Sequence, residues 1–121
     1  MSTIDPKRGE VWIADLEPAR GAEMKKTRTV LVMNPDSVGR LPLRIVVPIT
    51  EWQGSYEKYS WMTRVDADRG NGLTKASSAD AFQVRSISLD RFKRRLGSLR
   101  PDHVDSIAAG VALCVGWSGA R

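Results

Sequence analysis

The chain has 121 residues, a net charge of +5 and 41% hydrophobic residues. That is one domain's worth of sequence, able to bury a core without disulfides or a structural metal, and its composition excludes a largely disordered polymer. Cys114 is the only cysteine, which excludes an internal disulfide and suits a reducing compartment. Residues 1–10 lack the apolar core of a signal peptide, and no apolar run is long enough to cross a bilayer, so the expectation is a cytoplasmic protein with no membrane partner. The basic excess favours a polyanion as partner: RNA, DNA or an acidic protein.

In chain order, residues 1–8 are polar and expected to be flexible. Residues 10–16 alternate as a strand, with Val11 and Ile13 on one face and Trp12 and Ala14 on the other. Residues 17–28 form a charged loop punctuated by Pro18 and Gly21. The β-branched runs at 29–33 and 44–50 read as buried strands. Pro48 lacks an amide donor, so it belongs at an edge or an interruption of a ladder. Residues 51–60 read as an aromatic-bearing loop, 61–65 as a strand, 66–73 as turns, 81–87 as a strand, 89–92 as one helical turn, and 93–99 as a short strand. Pro101 suits the first position of a helix over about 101–115, with Asp102 meeting the helix dipole. Val104, Ile107, Ala108, Val111 and Val115 carry its apolar spacing. Gly116 is a natural stop, Cys114 is expected in the core, and Trp117 is expected to pack back on the sheet. Short strands followed by one helix, without βαβ alternation, predict a single mainly β (α+β) domain over 1–121: a compact antiparallel sheet or small barrel plus a helix.

Three segments, in order, resemble one family. Arg8-Gly9-Glu10-Val11-Trp12, Arg20-Gly21-Ala22-Glu23 and Lys26-Thr27-Arg28 are similar to the "RGEVWxxDLxPxxGxExxKxRP" opening of the MazF/PemK (Kid) toxins of type II toxin–antitoxin systems. Val47-Pro48-Ile49-Thr50 resembles their "VxPIT". Gln83-Val84-Arg85-Ser86 with Arg95-Leu96-Gly97 resembles their "QxRTxxxxRlxxxxG". The resemblance covers roughly residues 7–115 and implies an SH3-like barrel or strongly bent antiparallel sheet with a C-terminal α-helix, CcdB/PemK-like, usually a homodimer. It implies a toxin that is an endoribonuclease, cutting single-stranded RNA at a short sequence without metal or cofactor and leaving a 2′,3′-cyclic phosphate. A small acidic antitoxin is the implied protein partner.

Carried over by motif, Arg28 and Thr50 are the implied catalytic pair. A guanidinium stays charged and can grip two phosphate oxygens, and a threonine hydroxyl can donate to a third. Gly21, Glu23, Lys25 and Lys26 are the implied RNA-binding loop; Ser77, Phe82, Gln83 and Arg85 match family positions near the RNA. Taken residue by residue, most arginines are solvated surface cations and most phenylalanines are core, so these roles depend on the motif. Thr29 stands where the family has Pro, and Phe82 where many relatives have Glu. His103 is the only histidine, which excludes a histidine-pair mechanism within one chain, and no zinc-ligand spacing is present. The alternatives are a CcdB-like gyrase poison without catalysis and a weakened RNA-binding relative.

Overall fold

The structure is a computed structural model that describes residues 4–38 and 41–118. Seven strands, β1 (Glu10–Asp15), β2 (Thr27–Val32), β3 (Leu43–Glu51), β4 (Met62–Val65), β5 (Ser77–Asp80), β6 (Arg85–Ser88) and β7 (Phe92–Ser98), precede one helix, α1 (Pro101–Cys114). The strands form one antiparallel sheet in the order β4-β5-β3-β2-β1-β7, with β6 beside β5 along the other half of β3. The sheet is open, as its end strands β4 and β7 do not pair. This is the bent-sheet form of the expected architecture.

β2 and β3 form the centre because their sequences are β-branched on both faces. Val30, Leu31, Val32, Val46 and Val47 are fully buried, each contributing about 1.5–3 kcal/mol relative to exposure. On one face, Val11, Leu31, Val47, Ile49 and Ala79 pack with Val104 and Ile107 of α1. On the other, Trp12, Ala14, Val30, Val46, Ile87 and Phe92 pack together with no helix among them. Residues from β1, β2, β3, β6 and β7 meet there only because the sheet curls over itself. Two register shifts between β1 and β7 supply part of that curl, since each extra residue bends its strand. Trp12 and Phe92 meet edge to face across them at 5.5 Å.

Two features differ from the reading of 81–87 as one strand. Ala81–Gln83 is a 3-10 turn, and β6 begins only at Arg85. Upstream, Ser77–Asp80 is a strand that no periodicity announced, because all four residues are buried. The turn leaves residues 47–48 of β3 unpaired on that side, between the Val46–Arg85 and Ile49–Ala79 pairs; Pro48 occupies this gap, where no donor is required. The helix starts with Pro101 at its first turn and fits closely at Gly110, where a Cβ would lie 3.2 Å from that of Ala81. Trp117 does not return to the sheet and is 64% exposed, because Gly116, at φ 80, turns the chain away from it. Cys114 is half-buried rather than core. At the other end, Pro6 is buried and Arg44 donates from Nε to its carbonyl at 2.9 Å.

Candidate nucleic-acid interface

The Thr29–Ile49 pair is the outermost of the β2–β3 register. Arg28 and Thr50 are one step further along each strand, so they stand opposite each other across the ladder. Both are half-buried. The strand end fixes them better than a free loop would, because Arg28 also pairs with Ala14 of β1 and Thr50 with Ser78 of β5.

Arg28 and Thr50 line one groove of about 540 Å³. Ile13, Ile49, Leu73 and Leu96 contribute apolar wall, and Ser77 lies in it too. Three cations, Arg28, Lys75 and Arg94, line it against one carboxylate, Glu51. Lys75 is bound to Glu51 at 3.1 Å, whereas Arg94 has no ion pair among the described residues. Lys75, Arg94 and Gln53 were missed by sequence reasoning. The only signal for Arg94 was its basic neighbourhood, Lys93-Arg94-Arg95, which reads equally as a solvated face. A second space, near Asp5, Lys7 and Arg44, is smaller at about 360 Å³ and is bordered by charges already paired with one another.

Arg28 donates from Nε to the Lys25 carbonyl at 3.0 Å. That bond fixes one edge of the guanidinium and leaves its terminal nitrogens without a partner among the described residues. The site thus presents a fixed charge with two donors available to an anion.

The loop over residues 17–26 is closed at its base, where the Leu16 amide donates to the Lys26 carbonyl at 2.9 Å and the Lys26 amide to the Glu17 carboxylate at 2.8 Å. Lys26 adopts φ 69 there, an uncommon conformation for a side-chain-bearing residue. At the tip, Gly21 at φ 57 permits a tight turn in which the Glu23 amide donates to the Arg20 carbonyl at 3.0 Å. The Glu23 carboxylate accepts from the Arg20 amide at 2.6 Å. Lys25 and Lys26 are exposed, with no ion pair among the described residues.

Gln83 and Arg85 lie outside the groove lining and reach this loop instead. Gln83 donates from Nε2 to the Ala22 carbonyl and accepts at Oε1 from the Met24 amide, both at 3.0 Å. Arg85 donates to the Leu16 carbonyl at 3.3 Å. Ser77 is buried and spends its hydroxyl on the Lys75 carbonyl at 2.9 Å. Phe82 also lies outside the groove and is 69% exposed. It is held there because Asp80 caps the 3-10 turn by accepting from the Phe82 amide at 3.1 Å. Its ring continues an aromatic row: Tyr59 stacks on Trp61 at 4.9 Å, and Trp61 meets Phe82 at 5.7 Å. Burial pushes the Asp80 carboxyl above the usual carboxylate range, against the two backbone donors of that turn.

The described residues thus form an α+β protein with an open, curled sheet and a basic groove at one sheet end. A family model for the PemK-like, MazF-like toxin of type II toxin–antitoxin systems matches residues 7–115, and the chain belongs to that family. Among its relatives, Endoribonuclease MazF9 of Mycobacterium tuberculosis (strain ATCC 25618 / H37Rv) is 33% identical over 97 residues, covering 75% of this chain and 80% of the relative. Endoribonuclease PemK of Escherichia coli is 43% identical over 86 residues, covering 70% of this chain and 62% of the relative. A mycobacterial endoribonuclease solved in complex with its cognate antitoxin shares the fold, with a TM-score of 0.72 at 16% identity over 96% of this chain and 100% of that one. Among the described residues no helix is long and apolar enough to cross a membrane.

Proposed function

We propose that this toxin, an endoribonuclease of the PemK/MazF family, cuts single-stranded RNA by metal-independent in-line transesterification, with Arg28 and Thr50 as its catalytic residues. The 2′-oxygen gives up its proton to solvent water and bonds to the adjacent phosphorus. The bond from phosphorus to the 5′-oxygen breaks, the leaving oxygen takes up a proton, and a 2′,3′-cyclic phosphate remains. The terminal nitrogens of Arg28 hold the non-bridging oxygens as charge builds on them, and its guanidinium supports protonation of the leaving oxygen. Thr50 donates its hydroxyl to the same phosphate. Preorganised donors of this kind are usually the largest contribution to such a reaction. The observation that carries the reading is the placement of Arg28 opposite Thr50 in a groove with three cations and one carboxylate.

The chain 1–121 is read as one toxin domain acting in the cytoplasm, as a homodimer. Lys25 and Lys26 attract the RNA backbone from a loop shaped by Gly21 and Glu23. Ser77 and Arg85 support the groove and the loop, and exposed Phe82 offers a stacking face for an unpaired base. The antitoxin is a small acidic chain that folds onto the basic groove, as expected for a family defined by toxin–antitoxin pairs and consistent with the mycobacterial complex. The gyrase-poison and inactive-relative readings are not favoured, since the matching relatives are endoribonucleases.

The test is purified protein with a single-stranded RNA library in excess EDTA, sequencing the cleaved 5′ ends. Cleavage with cyclic-phosphate products, abolished by a 2′-deoxy nucleotide at the cut and strongly reduced in Arg28→Ala, is the expected result. Cleavage that requires divalent metal, or that survives Arg28→Ala, overturns the mechanism.

A further inference from the structure

We propose that Gln83 is a positioning residue for Arg28, acting through the backbone of the 17–26 loop. This rests on the reading of Arg28 as catalytic.

The geometry forms a continuous chain of contacts. Gln83 is fixed by the 3-10 turn that Asp80 caps. Its amide spans residues 22 and 24, giving a donor to one carbonyl and an acceptor to one amide. Glutamine is the right length and polarity for this, since a side-chain amide carries one group of each kind. The next residue, Lys25, supplies the carbonyl that receives Nε of Arg28. The residues joined by the Gln83 bonds are 59 and 61 positions apart, so the latch couples two distant parts of the chain.

At its tip the loop has little else to hold it. Gly21, Ala22, Glu23 and Lys25 are exposed, and the bonds between Arg20 and Glu23 lie within the loop. Met24 alone packs against a core cluster. Without the latch, residues 22–25 would depend on Met24 and on the base of the loop, and the Lys25 carbonyl would be less well fixed. Its orientation sets one edge of the guanidinium, and small misplacements of catalytic groups are costly.

The same contacts bear on a different role for Gln83. Each end of the Gln83 amide already holds one loop backbone group, so only one N–H and one lone pair remain, in fixed directions, before RNA arrives. A base reader would have to use only what remains or break the bonds to the loop.

The experiment separates the two roles. Gln83→Leu and Gln83→Glu are assayed with single-stranded RNA substrates, and the cut sequences are read by 5′-end sequencing. Amide hydrogen exchange at Met24 and thermal unfolding are followed in the same proteins. For Gln83→Leu, kcat is expected to fall about ten- to a hundredfold, with KM changed less than about twofold, the cut sequence unchanged, and Met24 losing protection. Gln83→Glu keeps the acceptor for Met24 but turns an oxygen instead of a donor toward the Ala22 carbonyl, so it too should lower kcat with the cut sequence unchanged. It carries the test if the Leu variant does not fold. A changed cut sequence, a rise in KM with kcat unmoved, or full activity despite lost Met24 protection overturns the proposal. Arg28→Ala is run alongside: if it keeps full activity the catalytic reading itself fails, a result distinct from any Gln83 outcome.

Discussion

Arg28 stands across the β2–β3 ladder from Thr50, one residue beyond the Thr29–Ile49 pair. This relationship puts a guanidinium and a hydroxyl at one end of a groove without either depending on a flexible terminus.

Arg28→Ala should lower kcat about a hundred- to a thousandfold, as loss of a preorganised donor does elsewhere. Arg28→Lys should recover little, since an ammonium lacks the planar fork and the Nε donor to Lys25. Thr50→Val removes one hydrogen bond at nearly constant shape and should cost about three- to tenfold. Single-turnover cleavage of one RNA substrate measures all three. Equal activity of Arg28→Lys and the parent protein would show that point charge alone suffices.

Arg94 and Lys75 line the same groove but differ in how free they are. Lys75 already holds Glu51, so part of its charge is answered within the protein. Arg94→Ala should reduce the salt dependence of single-stranded RNA binding by about 0.7 in the slope of log K against log salt. Lys75→Ala should reduce it less. Fluorescence anisotropy across a salt series, with a substrate blocked by 2′-deoxy substitution, reads both slopes. Equal slopes for the two variants would count against the distinction.

Gly97 should not tolerate a side chain. A Cβ there would lie 2.3 Å from the Gly70 carbonyl oxygen and 2.7 Å from the Asn71 carbonyl carbon, both backbone atoms. Gly97→Ala is expected to destabilise by about 3 kcal/mol or more, at or beyond the upper end of ordinary overpacking. Gly54→Ala meets nothing within 4 Å and should stay within about 0.5 kcal/mol. Urea unfolding of the two variants compares them directly.

Two aspartates should respond oppositely to acid. Burial raises the Asp80 carboxyl above its ordinary 3.8, so the folded state holds that proton more tightly than the unfolded chain. Its ionisation therefore costs stability as pH rises from 3.8 through the folded value, and the cost persists at neutral pH. Asp102 behaves the other way: the Arg100 hydrogen bond lowers it to about 2, so its contribution is present above 3.8 and lost as pH falls through about 2. Asp80→Asn keeps an acceptor for the Phe82 amide, and it should raise the thermal midpoint at pH 7 more than at pH 4. A midpoint lowered equally at both would refute this account of Asp80.

The legible parts of this fold were those written in short-range pattern. β2 and β3 announced themselves through Val30-Leu31-Val32 and Ile45-Val46-Val47, and α1 through Pro101 and the spacing of Val104 and Ile107. β5 was not legible. Ser77-Ser78-Ala79-Asp80 is small and buried on both faces between β4 and β3, so it shows neither alternation nor an apolar run. For the same reason, the reading of 81–87 as one strand ran through a turn that exists because Asp80 caps it. Phe82 looked like core by residue type, yet that cap leaves it exposed.

The sequence by itself determined most of the strands (though not β5), the helix, the basic charge, and the motifs that marked Arg28 and Thr50. Those properties depend on neighbours a few residues apart. The tertiary structure alone decided that Arg28 lies opposite Thr50, that Lys75 and Arg94 share their groove, and that Gln83 spends its amide on residues 22 and 24. Each of these follows from hydrogen-bond register and curl between segments far apart in the chain, and local periodicity carries no information about which strands will pair.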